Sequence, residues 1–441
     1  MSRRPLGLAL SWCLLATPLH AQNLRQKVSD LFKFGNCGDP LCLEVNAAVH
    51  GRHFIPAVVQ GQNNLLAFLT NAIAVSAANF PVAATSGGTT FTFEGGLPVA
   101  TSTSAGPIFG ERAPTLGRGR LLIGAGLTGL NYRTIRGVPL DGLLLNFTHQ
   151  NVGDPVYGNP TIEDDIFQVA TSLDVSLLAT TFVATYGLLN RVDVGVAVPF
   201  VHASVSGHST GRIIPESGTE AHRLGTPDNP KLEETTSSEG SASGVGDVAA
   251  RVKVNLGQTP HFGAALLGQV RFATGNEDDF LGAGTNNFSG LLVTSGRYGP
   301  LSPHLDVGYA NVKSDFENSV ALTTVGFDHL MLPWLTLAVD VISRWPLGAS
   351  KLTLPPAVTI TTPLPHVVEP GNIPERRDNT LDGAFGFKVS AGNRLNVVAN
   401  TLVPLNRGGV RPNIGWTLGL EYNFYPAGVS ATEKASPGGA H

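Results

Sequence analysis

Residues 414–424 read IGWTLGLEYNF and alternate without a break. Ile414, Trp416, Leu418, Leu420, Tyr422 and Phe424 fall on one phase; Gly415, Thr417, Gly419, Glu421 and Asn423 fall on the other. Period two predicts a strand with one apolar face and one small or polar face. The run is long for a globular strand and close to what a tilted strand needs to cross a bilayer. Similar runs predict twelve strands, near 120–134, 171–187, 192–206, 244–256, 261–274, 286–298, 303–314, 318–330, 335–346, 380–390, 394–405 and 413–424. The stretch TTFTF, residues 89–93, leaves room for one more hairpin and a total of fourteen.

The connections sort by length. Those at 188–191, 257–260, 299–302, 331–334 and 391–393 are tight, whereas 135–170, 207–243 and 347–379 are long, with one short exception at 315–317. Tight turns at one end and long loops at the other imply an up-and-down antiparallel β-barrel of the outer-membrane type, its tight end periplasmic. A Greek-key sandwich would not sort its loops in this way.

Charge follows the same phase. Val248, Ala250, Val252 and Val254 oppose Asp247, Arg251 and Lys253; Leu266 and Val270 oppose Gln269 and Arg271. Val194 and Val196 oppose Asp193, Val339 and Val341 oppose Asp340 and Arg344, and Phe385 and Phe387 oppose Asp382 and Lys388. An Arg or Lys facing lipid at mid-membrane costs about 2–4 kcal/mol, and in these strands no charge falls on the apolar phase. The candidate lumen-lining set is therefore Asp193, Asp247, Arg251, Lys253, Gln269, Arg271, Asp306, Asp340, Arg344, Asp382, Lys388 and Glu421. Two roles stay open for it: selecting polar or anionic solutes along a pore, or pairing charge with charge to fill a narrow barrel. Aromatics gather at strand ends, with Tyr186, Trp334, Tyr422 and Phe424 toward one rim and Phe200, Phe272 and Trp345 toward the other, as interfacial girdles do.

Composition narrows the class. Charged residues make up 14% of the chain, against about 25% in a typical soluble protein. Glycine accounts for 52 of 441 residues, well above the usual share of about 7%. Net charge is −4 and no basic block occurs, which argues against a nucleic-acid partner. The first 21 residues, with Arg3 and Arg4 before an apolar run and a cleavage-like Leu19-His20-Ala21, read as a signal peptide. After Ala21 no stretch approaches 18 unbroken apolar residues, so no transmembrane helix is expected. The expected organisation is a signal peptide (1–21), an irregular N-terminal segment, periplasmic or plugging (22–118), the barrel (119–424) and a disordered polar tail (425–441). Cys37 and Cys42 lie in CGDPLC; an exported compartment permits a disulfide between them, and a metal site there would need further ligands.

Glu277, Asp278 and Asp279 sit together in NEDDF, where either a solvated acidic turn or a divalent-cation site fits, without the EF-hand spacing. His149, His202 and His222 fall in or near the long loops among many serines, and His304 and His329 fall near tight turns, where rim positions are expected. No nucleophile–base–orienter spacing can be read from them. No enzyme activity and no cofactor are expected.

Three segments carry a family resemblance: TYGLLNRVDVGVAVP (185–199), GVGDVAARVKVNL (244–256) and RFATGNEDDFLGAGTNNF (271–288). They resemble the outer-membrane transporters grouped as "MetA-pathway of phenol degradation" proteins, which share a TYGLTDRLDVGVAVP-like hairpin, a GLGD strand and a PTGDEDDFLGTG-like loop. GPIFGERAPTLGRG (106–119) is similar to that group's approach to its first barrel strand. The resemblance covers roughly 85–424 and implies an outer-membrane channel for small solutes, aromatic or hydrophobic compounds among them. The expected partners are outer-membrane lipid, the barrel-assembly machinery and a small-molecule solute. The competing expectation is a structural or adhesive barrel that acts through loops 207–243 and 347–379.

Overall fold

The computed structural model describes residues 23–35, 38–43, 45, 63–79, 91–94, 97–100, 104–148, 165–215, 222–360, 364–392 and 394–424. Twelve antiparallel staves follow one another in chain order: β1 (Leu121–Ile135), β2 (Ile166–Leu189), β3 (Val192–Ile214), β4 in two pieces (Glu233–Val245 and Ala249–Gln258), β5 (Phe262–Arg271), β6 (Asn287–Gly296), β7 (Leu301–Asn311), β8 (Val320–Leu332), β9 (Leu335–Pro346), β10 (Thr380–Ala391), β11 (Leu395–Pro404) and β12 (Val410–Phe424). Each stave pairs with the next, and β12 pairs with β1, Leu418 opposite Leu127, so the sheet closes on itself. The hairpin formed by Phe91–Glu94 and Leu97–Ala100 pairs only with itself. The count is therefore twelve, and the fourteen-strand option falls.

The alternation resolves into an outside and an inside. Phe182, Phe200, Leu266, Leu292, Leu305, Val325, Phe385, Val397 and Leu418 are exposed, while Asp193, Lys253, Asp306, Asp328, Asp340 and Lys388 are buried. A water-soluble barrel would show the reverse. At the tight-turn end Tyr186, Trp334 and Phe424 are exposed, and Tyr422 stacks edge-on against Phe424 at 4.6 Å. Toward the other end Phe200, Phe272 and Trp345 are exposed in the same way.

Staves β2, β3 and the first piece of β4 run well past the other staves at the long-loop end, and on β2 and β3 the two faces exchange character as they do so. On β2 the outward side chains pass from Tyr186, Phe182 and Leu178 to Ser176 and Asp174. The inward ones pass from Thr185 and Thr181 to Leu177, Val175 and Leu173. Residues 178–186 thus form the apolar belt, about the length a tilted strand needs to cross a bilayer. Beyond it, the barrel wall has polar exterior and apolar interior. Residues 207–243, expected as a loop, are mostly strand: β3 continues to Ile214 and pairs with Glu233–Val245 over that length. The sequence hides this strand because Thr, Ser, Glu and Gly occupy both of its faces, leaving no alternation to read.

The apolar interior of this extension is filled by the N-terminal segment. Helix α1 (Leu24–Asp30) is capped by Asn23, whose side chain accepts from the Gln26 amide at 2.9 Å. Phe32 and Phe34 follow it and meet Phe147 and Phe167 at 6.2 and 5.3 Å between ring centres. Helix α2 (Asn63–Ala78) buries Leu65, Phe68, Leu69 and Ile73 in the same core. Cys42 is disulfide-bonded; Cys37, residues 1–21 and residues 425–441 lie outside the described residues.

Where the chain enters β1 it presses against the wall. Gly119 donates to the Gly187 carbonyl at 2.8 Å and Gly187 donates to that of Arg120 at 2.9 Å. A Cβ on Gly187 would stand 1.9 Å from the Gly117 carbonyl oxygen. Gly187→Ala is therefore expected to destabilise the barrel by about 1–3 kcal/mol or more through overpacking. A thermal scan of the refolded protein checks this, and an unchanged midpoint would show that the two backbones do not touch.

Candidate functional site: the barrel lumen

A twelve-stave barrel is too wide to be filled by its own side chains and narrower than an open porin. Residues 104–120 occupy the tight-turn half of its interior. They form no regular element before β1, and their backbone amides are satisfied by the wall instead. Asp340 accepts from Phe109 and Gly110 at 3.1 and 3.3 Å, and Asp306 accepts from Glu111 at 2.7 Å. Ser295 accepts from Ala113 at 3.1 Å, and Asp193 accepts from Leu116 through both oxygens, at 3.2 and 2.9 Å. Asn255 donates to the Ala113 carbonyl at 2.9 Å. Buried carboxylates stay tolerable in such a place because N–H donors face them.

Three ion pairs reinforce the contact. Arg112, buried, donates to both oxygens of fully buried Asp328, and Ser104 donates to the same carboxylate. Glu111 takes Lys253 at 3.4 Å and Arg251 at 3.6 Å. Apolar patches complete the fit, with Ile108 against Ala338 and Val398, and Ala113 against Ala265, Leu267 and Val293. Gly110 lies on the His304 ring, where a Cβ would come within 2.2 Å of Nε2.

The other expected lumen residues all face inward but serve separate partners. Lys388 binds Glu421 at 3.0 Å, Asp382 binds Arg411, and Arg344 binds Glu317 at 3.0 Å. Asp247 accepts from the Gly275 and Ala283 amides at 3.1 and 2.8 Å, fixing the 272–286 loop where β4 breaks. Gln269 and Arg271 line a cavity, and Arg271 donates to the Ala78 carbonyl at 2.6 Å. His304, expected at a rim, is instead buried and bonded to Asp340 at 2.7 Å; it shares the inward phase of Asp306, two positions on. Glu111, Arg112, Asp328 and Arg411 were not anticipated. The inward phase of β8 would have exposed Asp328, but nothing periodic marks Glu111 or Arg112.

The cavity, of about 450 Å³, lies between this filled half and α2. Phe109, Glu111 and Asp306 floor it, and Ala72, Val75, Ser76 and Asn79 of α2 and its end cover it. The end of α2 bridges the wall: Tyr132 on β1 donates to the Ser76 carbonyl at 3.0 Å, Arg271 on β5 holds Ala78, and Asn79 donates to Glu317 at 3.0 Å. The lining is mostly apolar, including Leu130, Leu267, Leu291, Leu322, Ile342 and Leu402.

The acidic loop anchors α1 rather than standing free. Asp279 accepts from the Leu24 amide at 3.3 Å and from Asn276 at 2.7 Å, while Arg25 reaches Asp278 at 3.5 Å and the Glu277 carbonyl at 3.4 Å. Burial raises the Asp279 carboxyl above its ordinary range, and the neighbouring Asp278 charge adds to that against the two hydrogen bonds. No cluster of three or more His, Cys, Asp or Glu suited to a metal occurs among the described residues. His202 Nδ1 lies 2.7 Å from Ser243 Oγ on the exposed outer face, and His222 Nδ1 lies 2.9 Å from Asp165. His149 lies outside the described residues, and His329 sits on β8 opposite Leu301.

No family model matches the chain, and no curated protein does. Among solved structures it is similar to a COG4313 outer membrane channel from Pseudomonas putida F1, at 13% identity and a TM-score of 0.40 over 71% of this chain and 98% of that one. It is similar to a Pseudomonas aeruginosa FadL homologue at 10% identity and 0.31, over 69% and 89% of the two chains. The P. putida toluene transporter TodX gives 9% identity and 0.31, over 69% and 90%. Scores this low transfer no residue's role.

Asp328→Ala is expected to cost about 3–5 kcal/mol, because it strands the Arg112 guanidinium in a buried site. Limited trypsinolysis of the folded barrel should then cut at Arg112, which is buried and should resist in the parent protein. Equal resistance of the two would show that the pair does not hold the segment.

Proposed function

We propose that this chain is an outer-membrane channel for small, predominantly hydrophobic solutes, with residues 104–120 acting as a plug that closes its periplasmic half. One observation carries the reading. A closed ring of twelve staves turns its apolar residues outward and its charges inward around an interior that holds a mostly apolar cavity. Only hydrocarbon suits that exterior. No helix among the described residues is long and apolar enough to cross a membrane; on this reading the strands, with their apolar exterior, do the crossing. The tight turns mark the periplasmic side, and the extension of β2, β3 and β4 projects outward with its polar exterior in water. Insertion needs export through the 1–21 leader and the barrel-assembly machinery. On this reading the solute occupies the cavity under α2, and passage requires residues 104–120 to shift.

The polar extension also favours a second reading, a barrel that only presents its outer surface to a partner. Conductance separates the two. In planar bilayers the parent protein should give small currents, and Asp306→Asn/Asp328→Asn/Asp340→Asn, which removes three carboxylate anchors of the plug, should raise them several-fold. A silent parent with an equally silent triple variant, both correctly folded, supports the surface-display reading.

The lipid-facing assignment has its own check. Leu418→Arg, in the middle of the β12 belt, should lower folding stability in vesicles by about 2–4 kcal/mol. If the variant instead matches the parent by reversible denaturant unfolding, Leu418 does not face hydrocarbon.

A further inference from the structure

Five arginines line the cavity, and on its wall two of them stand within electrostatic reach of a third. These three are Arg251, Arg271 and Arg344, on β4, β5 and β9. Arg344 and Arg251 stand close enough to Arg271 to repel it, and Asp247 and Glu317 close enough to attract it. Each of the two flanking groups has a carboxylate: Arg344 has Glu317 at 3.0 Å, and Arg251 has Glu111 at 3.6 Å. Glu111 is shared with Lys253 at 3.4 Å, so it does not fully neutralise Arg251. Of the two carboxylates that attract Arg271, Asp247 is already bonded to the Gly275 and Ala283 amides and Glu317 to Arg344 and Asn79. Arg271 is left with a neutral acceptor, the Ala78 carbonyl, and no carboxylate bonded to it among the described residues.

A second observation points the same way. The Arg251 side chain is nine-tenths buried, and its Nε has no hydrogen-bond partner among the described residues. A buried guanidinium with an unmet donor, beside two further guanidinium groups, has a cost that an oxyanion would remove. Arginine forks match carboxylate geometry through paired donors. Leu130, Tyr132, Leu322 and Ile342 give the lining an apolar stretch, while Lys351, Arg377, Asp378 and the Asp382–Arg411 pair make another part of it polar.

We propose that the cavity selects an amphipathic monoanion, a carboxylate on an aryl or alkyl body, with the carboxylate on Arg271 between Arg251 and Arg344 and the body against Leu130, Tyr132, Leu322 and Ile342. This rests on the channel reading for its purpose, but the binding site itself does not need the channel to conduct.

The test is a charge series on the full-length protein in lipid nanodiscs, by equilibrium dialysis against empty nanodiscs. The probes are 4-phenylbutyrate, the neutral 4-phenyl-1-butanol and the cationic 4-phenylbutylamine, which share one apolar body. The carboxylate should bind about ten-fold tighter than the alcohol, and the amine weakest, given what hydrogen bonds to a charged group contribute. In Arg271→Gln the ratio of carboxylate to alcohol affinity should fall to about one, whatever the loss of the Ala78 bond does to both probes alike, with the folded barrel confirmed by its compact band on an unheated gel. Equal binding of all three probes, a preference for the amine, or no binding overturns the proposal, as does a folded Arg271→Gln protein that keeps the carboxylate preference. Should Arg271→Gln fail to fold, Arg344→Gln and the parent's own charge series decide the matter. A conducting protein without the charge preference would sink this inference alone, whereas a silent protein with it would sink the channel reading alone.

Discussion

The structure depends on what happens to charge inside a ring of staves whose outer face is apolar. A stave with hydrocarbon on one face sends every ionisable side chain to the other. Twelve staves make an interior too wide for those side chains to meet across and too narrow to leave them in bulk water. Asp193, Asp306 and Asp340 cannot all find cations on the opposite wall. They find backbone N–H groups instead, from residues 104–120, laid down just before the barrel begins. A segment with no helix or strand of its own has unpaired amides throughout, and that makes it the right counterpart. The irregularity of 104–120 is thus a condition of its place, because a helix there would have used its amides internally.

The same rule explains the reversal along β2 and β3. Within 178–186 the exterior is apolar and the interior small or polar. Past Ser176 the exterior is polar, and the interior can afford to be apolar because α1, α2, Phe32 and Phe34 cover it. One strand therefore serves two environments, and the residue at which the phases exchange marks the edge of the belt. Water lies outside the upper barrel and a packed core inside, as in any soluble sheet.

Much of this could be read from the chain, and the failures have a common cause. Alternation located all twelve staves and the inward phase that carries Asp193, Lys253, Asp340 and Lys388. It faltered at 171–187, where the phases swap, and at 233–245, where Glu233, Thr235 and Ser237 on one face are matched by Glu234, Thr236 and Ser238 on the other. Periodicity reports contrast between faces, and these stretches have little. Partnership was legible only in part. Lys388 with Glu421 links two inward phases across β10, β11 and β12, but Glu111 and Arg112 lie among Gly and Pro residues with no period to orient them. Nearness to a turn points His304 to a rim, and the phase it shares with Asp306 is the better guide.

The floor of the cavity and the anchorage of residues 104–120 use the same side chains. Glu111 and Asp306 line the cavity, and both also hold the segment, Glu111 through Lys253 and Arg251, Asp306 through the Glu111 amide. Charge brought into the cavity therefore acts on the segment's attachment as well. An anion that draws Arg251 toward itself loosens that residue's grip on Glu111, while Lys253, deeper and bonded also to the Arg112 carbonyl at 3.3 Å, keeps its own. By linkage, whatever such an anion gains from a loosened segment, loosening the segment gains from the anion. On the channel reading proposed above, occupancy and closure would draw on one set of ion pairs, with Arg251 common to both.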